Sequence, residues 1–137
     1  MSIREDALNG KITPIFEACA AKEGTTPEKI MEGVASGVIA IPKNIHHNLD
    51  NLMAVGRGLT TKVNANIGAS KDLPGMEQEM EKLCASLKSG ADAVMDLSMG
   101  ENLNSIRRKI LEHCSVPLGT VPVYQTISEA VEKDGRQ

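Results

Sequence analysis

The stretch Thr61–Ser70, which reads TKVNANIGAS, decides how the rest of the chain is interpreted. Its apolar residues Val63 and Ile67 are β-branched, which favours a strand, and Gly68 permits the backbone to turn. Because alternate residues of a strand point the same way, Asn64 and Asn66 should project from one face near the carboxyl end. Two carboxamides there offer donors and acceptors to a polar ligand. An asparagine-rich strand exit without a ligand explains this stretch alone equally well.

Two later stretches have the same form and predict further strands. Ala93–Gly100 (AVMDLSMG) and Val116–Tyr124 (VPLGTVPVY) are short apolar runs that lead into polar residues. Asn66, Met95 and Tyr124 follow one another at intervals of 29 residues, and two helical patterns lie between them. This spacing is typical of repeated βα units, in which successive parallel strands bring one residue each to the same end of a sheet.

Composition limits the classes of function. A net charge of −3 without any block of Lys or Arg argues against a nucleic-acid surface. No apolar run approaches the roughly 20 residues of a membrane span, so no membrane partner is expected. The first residues lack the apolar region of a secretory signal, and a cytoplasmic location is therefore expected.

Candidate metal ligands are few. Cys19, Cys84 and Cys114 are far apart and form no CxxC pair, so the sequence predicts three buried free thiols and no disulfide, zinc or iron–sulfur motif. His46 and His47 are adjacent, which generally points their side chains apart, and no third ligand follows at metal-site spacing. No metal site is predicted.

The pattern of residues 1–37 predicts a small helical segment before the first strand, which we call the helical preface. Its first residues fit a capping box, and the Thr-Pro pairs that begin at Thr13 and Thr26 are typical of helix starts. Gly24 and Gly37 would end the two helices that follow these pairs.

Two amphipathic helices are predicted between the strands, and a shorter one after them. The first covers Asp72–Gly90, with Asp72 as its cap, and the last covers Thr126–Lys133. Charged residues such as Glu79 and Arg107 are assigned to the solvated faces, and Asp96 is interpreted as a partner of the loop backbone. The two predicted apolar stripes are Met76, Met80, Leu83, Cys84 and Leu87, and Leu103, Ile106, Ile110 and Leu111.

Strands that alternate with helices predict an α/β fold with a parallel sheet. An open doubly wound sheet and part of a (β/α)8 barrel both satisfy this pattern, although the sequence has neither a GxGxxG motif nor a P-loop. A barrel needs about 250 residues. The three βα units of residues 38–137 would be under half of one, so the chain is expected to be the first part of something larger.

Five segments in order resemble the phosphomethylpyrimidine synthase family: IPKNIHHNL, VGRGL, TKVNANIG, GADAVMDLSMG and VPLGTVPVYQ. The resemblance runs from about Gly37 to Gln125. It implies a (β/α)8 barrel in a radical S-adenosylmethionine enzyme of thiamine biosynthesis, which converts aminoimidazole ribotide to hydroxymethylpyrimidine phosphate. It also implies a [4Fe–4S] cluster and a His-bound metal in the complete enzyme.

The resemblance assigns three substrate-binding residues and no catalytic ones. They are the second Asn of KVNANIG, the Met of VMDLS and the Tyr of TVPVYQ, which are Asn66, Met95 and Tyr124. We expect Asn66 to hydrogen-bond the imidazole or ribose, Met95 to pack against the ring and Tyr124 to bind through its hydroxyl.

The departures from the family pattern limit these expectations. His46-His47 stands where the family reads Asn-His, and Met99 replaces the usual Thr of DLSTG. The later barrel strands, the His metal ligands and the terminal CxxCx4C motif are missing. Because a cluster needs its thiolates, we expect this chain alone to hold neither cluster nor metal and to be inactive.

Two alternatives to the fragment of a pyrimidine synthase stay open at this point. One is a hydroxybenzimidazole synthase paralogue, which uses the same substrate to build a cobamide lower ligand. The other is a non-catalytic remnant that binds a ribotide or docks to a full-length synthase. In each case an open sheet edge is expected to recruit a second copy or a complementing barrel half.

Overall fold

The computed structural model describes residues 2–47, 51–69, 75–99 and 103–134. Contacts divide the chain into two compact units, Met1–Lys62 and Val63–Gln137. Gly37, where the predicted helical preface ends, lies inside the first unit. Beyond it, Ile39–Ala40 pairs antiparallel with Val55–Gly56 and packs on the preceding helix.

The first unit begins with three helices, α1 (Ile3–Leu8), α2 (Pro14–Glu23) and α3 (Pro27–Ala35), as the sequence predicted. The predicted capping box is confirmed, since Ser2 N donates to Glu5 Oε2 at 2.5 Å and Glu5 N donates to Ser2 Oγ at 3.2 Å. Gly24 ends α2 in the left-handed conformation, at φ 63°. These local signals need no tertiary contact to act, which explains why they could be identified from the sequence.

The same unit contains two short strands whose pairing the sequence analysis did not predict. Strand β1 (Ile39–Ala40) pairs antiparallel with β2 (Val55–Gly56). The buried core of the unit joins helix and hairpin residues, including Phe16, Ile30 and Ala54.

The second unit is built on a parallel sheet in the order β3 (Asn64–Ile67), β4 (Ala93–Asp96) and β5 (Leu118–Thr120). Helices α4 (Met76–Lys88) and α5 (Leu103–His113) follow β3 and β4, and α6 (Pro122–Asp134) follows β5. The predicted parallel α/β arrangement is confirmed. The core lies between one face of the sheet and the first two helices, and includes Ile67, Leu83, Val94, Ile106 and Ile110.

Three predicted element boundaries are wrong. Helix α4 has Gly75 at its N-cap, so Asp72, which lies outside the described residues, is not the cap. The third strand ends at Thr120 and is shorter than the predicted run Val116–Tyr124, because α6 starts at Pro122. Proline suits the first turn of a helix, where its missing N–H costs no hydrogen bond, so α6 starts before the predicted Thr126.

Several predicted exposures are also wrong. Glu79 is buried and pairs with Lys82, whereas Leu111 is exposed. Of the three thiols, Cys19 and Cys114 are buried as predicted and Cys84 is exposed. Helical periodicity identifies a stripe, but the packed neighbours decide which residues at its border are covered. In the α4 stripe Leu83 is buried and Met76 is exposed, and in the α5 stripe Leu103, Ile106 and Ile110 are buried.

Candidate functional site

One face of the three-stranded sheet presents two asparagine side chains along β3, Asn64 at the start of the strand and Asn66 near its carboxyl end. Asn64 and Asn66 are both exposed, and Asn64 Nδ2 donates to Asn66 Oδ1 at 3.0 Å. The predicted projection of both carboxamides from one face is confirmed. The alternation of the strand turns Ile67 to the opposite face, where it is buried in the core.

Met95 lies beside Asn66 on the same face. The two residues are partners in the parallel register of β3 and β4, and Gly119 is the partner of Met95 on β5. A Cβ added at Gly119 would lie 2.8 Å from Met95 Cε, so the methionine side chain extends across the space that the glycine leaves. Gly119 was missed by the sequence analysis, although a glycine inside a strand is a known signal of close approach.

Tyr124 does not close a strand, which corrects the sequence prediction. It lies in the first turn of α6, where its backbone N–H donates to Val121 O at 3.1 Å, and its side chain is 37% exposed. Asn66 and Met95 are therefore neighbours on adjacent strands. Tyr124 lies on α6, the helix that follows the third strand.

Backbone contacts hold the exits of β3 and β4 side by side. Leu97 N donates to Ile67 O at 2.8 Å, and Ala69 N donates to the buried Ser98 Oγ at 3.0 Å. A Cβ added at Gly68 would lie 2.8 Å from the carbonyl carbon of Leu97. Only glycine permits this approach of two backbones, so the chain beyond Asn66 is fixed against the neighbouring strand exit.

Asp96 and Arg107 form an ion pair at the end of β4, in which the carboxylate is buried and the arginine is partly exposed. Asp96 Oδ1 accepts from Ser98 N at 2.9 Å, which confirms the predicted bond to the loop backbone, and Asp96 Oδ2 lies 3.3 Å from Arg107 Nε. The sequence predicted Arg107 on the solvated face of α5, and this prediction is wrong. A carboxylate without exposed surface needs a charged partner, and this requirement turns the arginine inward.

The described residues do not fit the donor set of a metal or cluster. Within the described ranges, no three His, Cys, Asp or Glu side chains are grouped so that they could hold a metal ion. His46 N donates to Asn44 Oδ1 at 2.9 Å, a local turn contact that gives no metal geometry. Among the helices that the structure describes, none has both the length and the apolar character needed to cross a membrane.

Comparison with known proteins identifies extensive similarity. A family model described as "Radical SAM ThiC family" matches residues 2–137. A phosphomethylpyrimidine synthase of Desulfotalea psychrophila is 56% identical over 131 residues, which are 96% of this chain and 30% of that protein. Proteins of the same name from a Thermoanaerobacter species and from Thermus thermophilus are 51% and 47% identical, over 98% and 97% of this chain and 31% of each relative. The chain thus spans about 30% of the length of these relatives.

Proposed function

Because this chain belongs to the radical SAM ThiC family, we propose that it forms the part of a phosphomethylpyrimidine synthase that binds aminoimidazole ribotide. The observation that supports this best is the parallel register of Asn66 and Met95 on the exposed face of the sheet. The relatives described above carry the name phosphomethylpyrimidine synthase, which favours that activity over the benzimidazole paralogue.

The proposal includes an architecture. We propose that the three parallel strands, whose described core lies against α4 and α5, are the first three βα units of a (β/α)8 barrel. In such a barrel the helix-covered face is outside, and the carboxyl ends of the strands form the active site. Asn66 and Met95 would then face the barrel interior near its active end.

The proposed chemistry of this part is binding and orientation. The Asn66 carboxamide can donate and accept, which suits an imidazole nitrogen or a ribose hydroxyl. The Met95 thioether is polarizable and packs well against an aromatic ring. Tyr124, in the first turn of α6, would hydrogen-bond the ligand through its hydroxyl.

The radical step is not assigned to the described residues. In the family reaction, S-adenosylmethionine and an iron–sulfur cluster supply the radical, and the described thiols are not grouped as a cluster requires. We propose that the 137 residues alone hold neither cofactor. We also propose that the outer strands β3 and β5 pair with a complementing barrel portion or a second copy, and sedimentation velocity of the isolated chain should then reveal self-association.

Calorimetric titration with aminoimidazole ribotide tests the binding role. Asn66→Ala and Tyr124→Phe should each weaken binding by about 1–3 kcal/mol, because each leaves a buried polar partner without its hydrogen bond. Asn51→Ala, which alters an exposed carboxamide of the first unit, is the matched control and should bind like wild type. Equal affinities for wild type and both site variants would remove these residues from the site.

A further inference from the structure

Arg107 connects the carboxyl end of β4 to the helix that carries Tyr124. Its Nε lies 3.3 Å from Asp96 Oδ2, and its Nη1 donates to Gln125 Oε1 at 2.6 Å. The Arg107 side chain is 20% exposed, and that of Asp96 is 0% exposed. Because the guanidinium is planar and its donors form a rigid fork, one arginine can hold two acceptors in a fixed relation.

The Asp96 end of this bridge is fixed to the sheet. Asp96 directly follows Met95 in β4 and is the register partner of Thr120 on β5. Its other carboxylate oxygen accepts from the backbone of Ser98, so both oxygens are engaged. The guanidinium is therefore anchored to the strand that carries Met95, and the charge pairing resists displacement.

The Gln125 end is fixed by three hydrogen bonds. Gln125 Nε2 donates to Asn104 Oδ1 at 3.2 Å and to Glu129 Oε1 at 2.8 Å, and Oε1 faces Arg107, which can only donate. Among the described side chains of α6, Gln125 is the only one that is not exposed. The bonds to Arg107 and Asn104 join the first turn of α6, which includes Tyr124, to α5, whereas the bond to Glu129 lies within α6.

We propose that Arg107 is a positioning residue that sets where Tyr124 stands relative to the sheet. This assignment rests on the proposed function, because the ribotide site is what Tyr124 would serve. Asn66 and Met95 need no such bridge, since the strand register alone places them side by side. Arg107 touches no substrate in this assignment and acts through Gln125.

The chain offers a specific reporter for this role. Tyr124 is its single tyrosine, so replacement of tyrosine by 3-fluorotyrosine yields one ¹⁹F resonance from this side chain. Arg107→Gln removes the charge and the fork, and Arg108→Gln is the matched control because Arg108 is the exposed neighbour. In the ligand-free protein we expect Arg107→Gln to shift the resonance and Arg108→Gln to leave it in place.

A double-mutant cycle tests whether the effect passes through Gln125. In a Gln125→Ala background, Arg107→Gln should produce little further shift of the Tyr124 resonance. A general loss of packing would not show this dependence. If Arg107→Gln does not fold, Arg107→Lys replaces it, because the lysine keeps the charge beside Asp96 but lacks the fork and should also shift the resonance.

Titration with aminoimidazole ribotide separates this inference from the proposed function. The ribotide should shift the wild-type Tyr124 resonance, and Arg107→Gln should weaken its binding about tenfold, which corresponds to the loss of roughly one hydrogen bond. If the ribotide leaves the ¹⁹F resonance of Tyr124 in the wild-type protein unchanged, the proposed function is contradicted. Equal shifts for the Arg107 and Arg108 variants without ligand, or a full further shift in the Gln125→Ala background, contradict the positioning role.

Discussion

Replacement of Glu23 by Gln should destabilise the first unit of the chain. Glu23 is the last residue of α2, and its Oε1 lies 2.8 Å from Lys62 Nζ. The two side chains are only 1% and 8% exposed. The other carboxylate oxygen accepts from Thr60 N at 2.8 Å and from Thr60 Oγ1 at 2.9 Å. One carboxylate therefore attaches the end of a helix to the segment that ends the unit.

The size of the effect follows from what the substitution leaves behind. Removal of one partner of a buried ion pair costs about 3–5 kcal/mol, because the other charge stays buried without compensation. The amide oxygen of Gln can still accept from Thr60, so the loss is mainly the charge partner of Lys62. Lys62 Nζ keeps its hydrogen bonds to Thr60 O and Thr60 Oγ1, so we expect Glu23→Gln to lower the free energy of unfolding of the first unit by about 2 kcal/mol.

The same pair predicts a pH dependence. Burial raises the pKa of Glu23, but Lys62 and the hydrogen bonds from Thr60 outweigh burial and hold this pKa below its ordinary value of 4.5. A carboxyl with a lowered pKa in the folded state contributes stability that is complete above the unfolded pKa and is lost as the pH falls through the folded value. The difference between wild type and Glu23→Gln should accordingly shrink below pH 4.5.

Hydrogen exchange with mass spectrometry measures this effect on peptides from α2 and α3, which report the opening of the first unit. The control is Glu112→Gln, which breaks an exposed pair with a Lys109–Glu112 separation of 3.9 Å in α5. Peptides of α5 in that variant should lose at most about 1 kcal/mol of protection. A loss for Glu23→Gln no larger than this, or one that persists unchanged at pH 3, would refute the reasoning.

Three further results are expected. Cys84 should react with a thiol reagent well before Cys19 and Cys114, because burial raises the pKa of both buried thiols; equal rates in a DTNB assay would contradict this. Gly119→Ala should displace Met95, whose methyl ¹³C resonance should shift while the circular dichroism spectrum is retained, and an unmoved resonance would argue against the contact. Anaerobic reconstitution of the 137 residues should give no stoichiometric [4Fe–4S] absorbance and no cleavage of S-adenosylmethionine. Either signal would contradict the proposal that this chain alone holds neither cofactor.

Signals that act within a few residues could be identified from the sequence. The Ser2–Glu5 capping box and the helix-ending Gly24 depend on local backbone chemistry, and the structure contains both. The placement of Arg107 depends instead on a buried carboxylate eleven positions earlier in the chain, which helical periodicity cannot represent. Pro122 was ambiguous for a related reason, since proline is compatible with a strand end as well as a helix start.

The proposed ribotide site is therefore held by two different physical means. Strand pairing places Asn66 beside Met95, and a slip of either strand by one residue would turn its side chain to the opposite face and separate the pair. Tyr124 lies on a helix with no buried apolar side chain among those described, and polar contacts of Gln125 join that helix to α5. Changes around the bridge should thus adjust the position of the tyrosine gradually while the Asn66–Met95 pair stays intact. Tuning of the site toward a different ligand is accordingly expected first at residues that contact Gln125, before any change in the sheet.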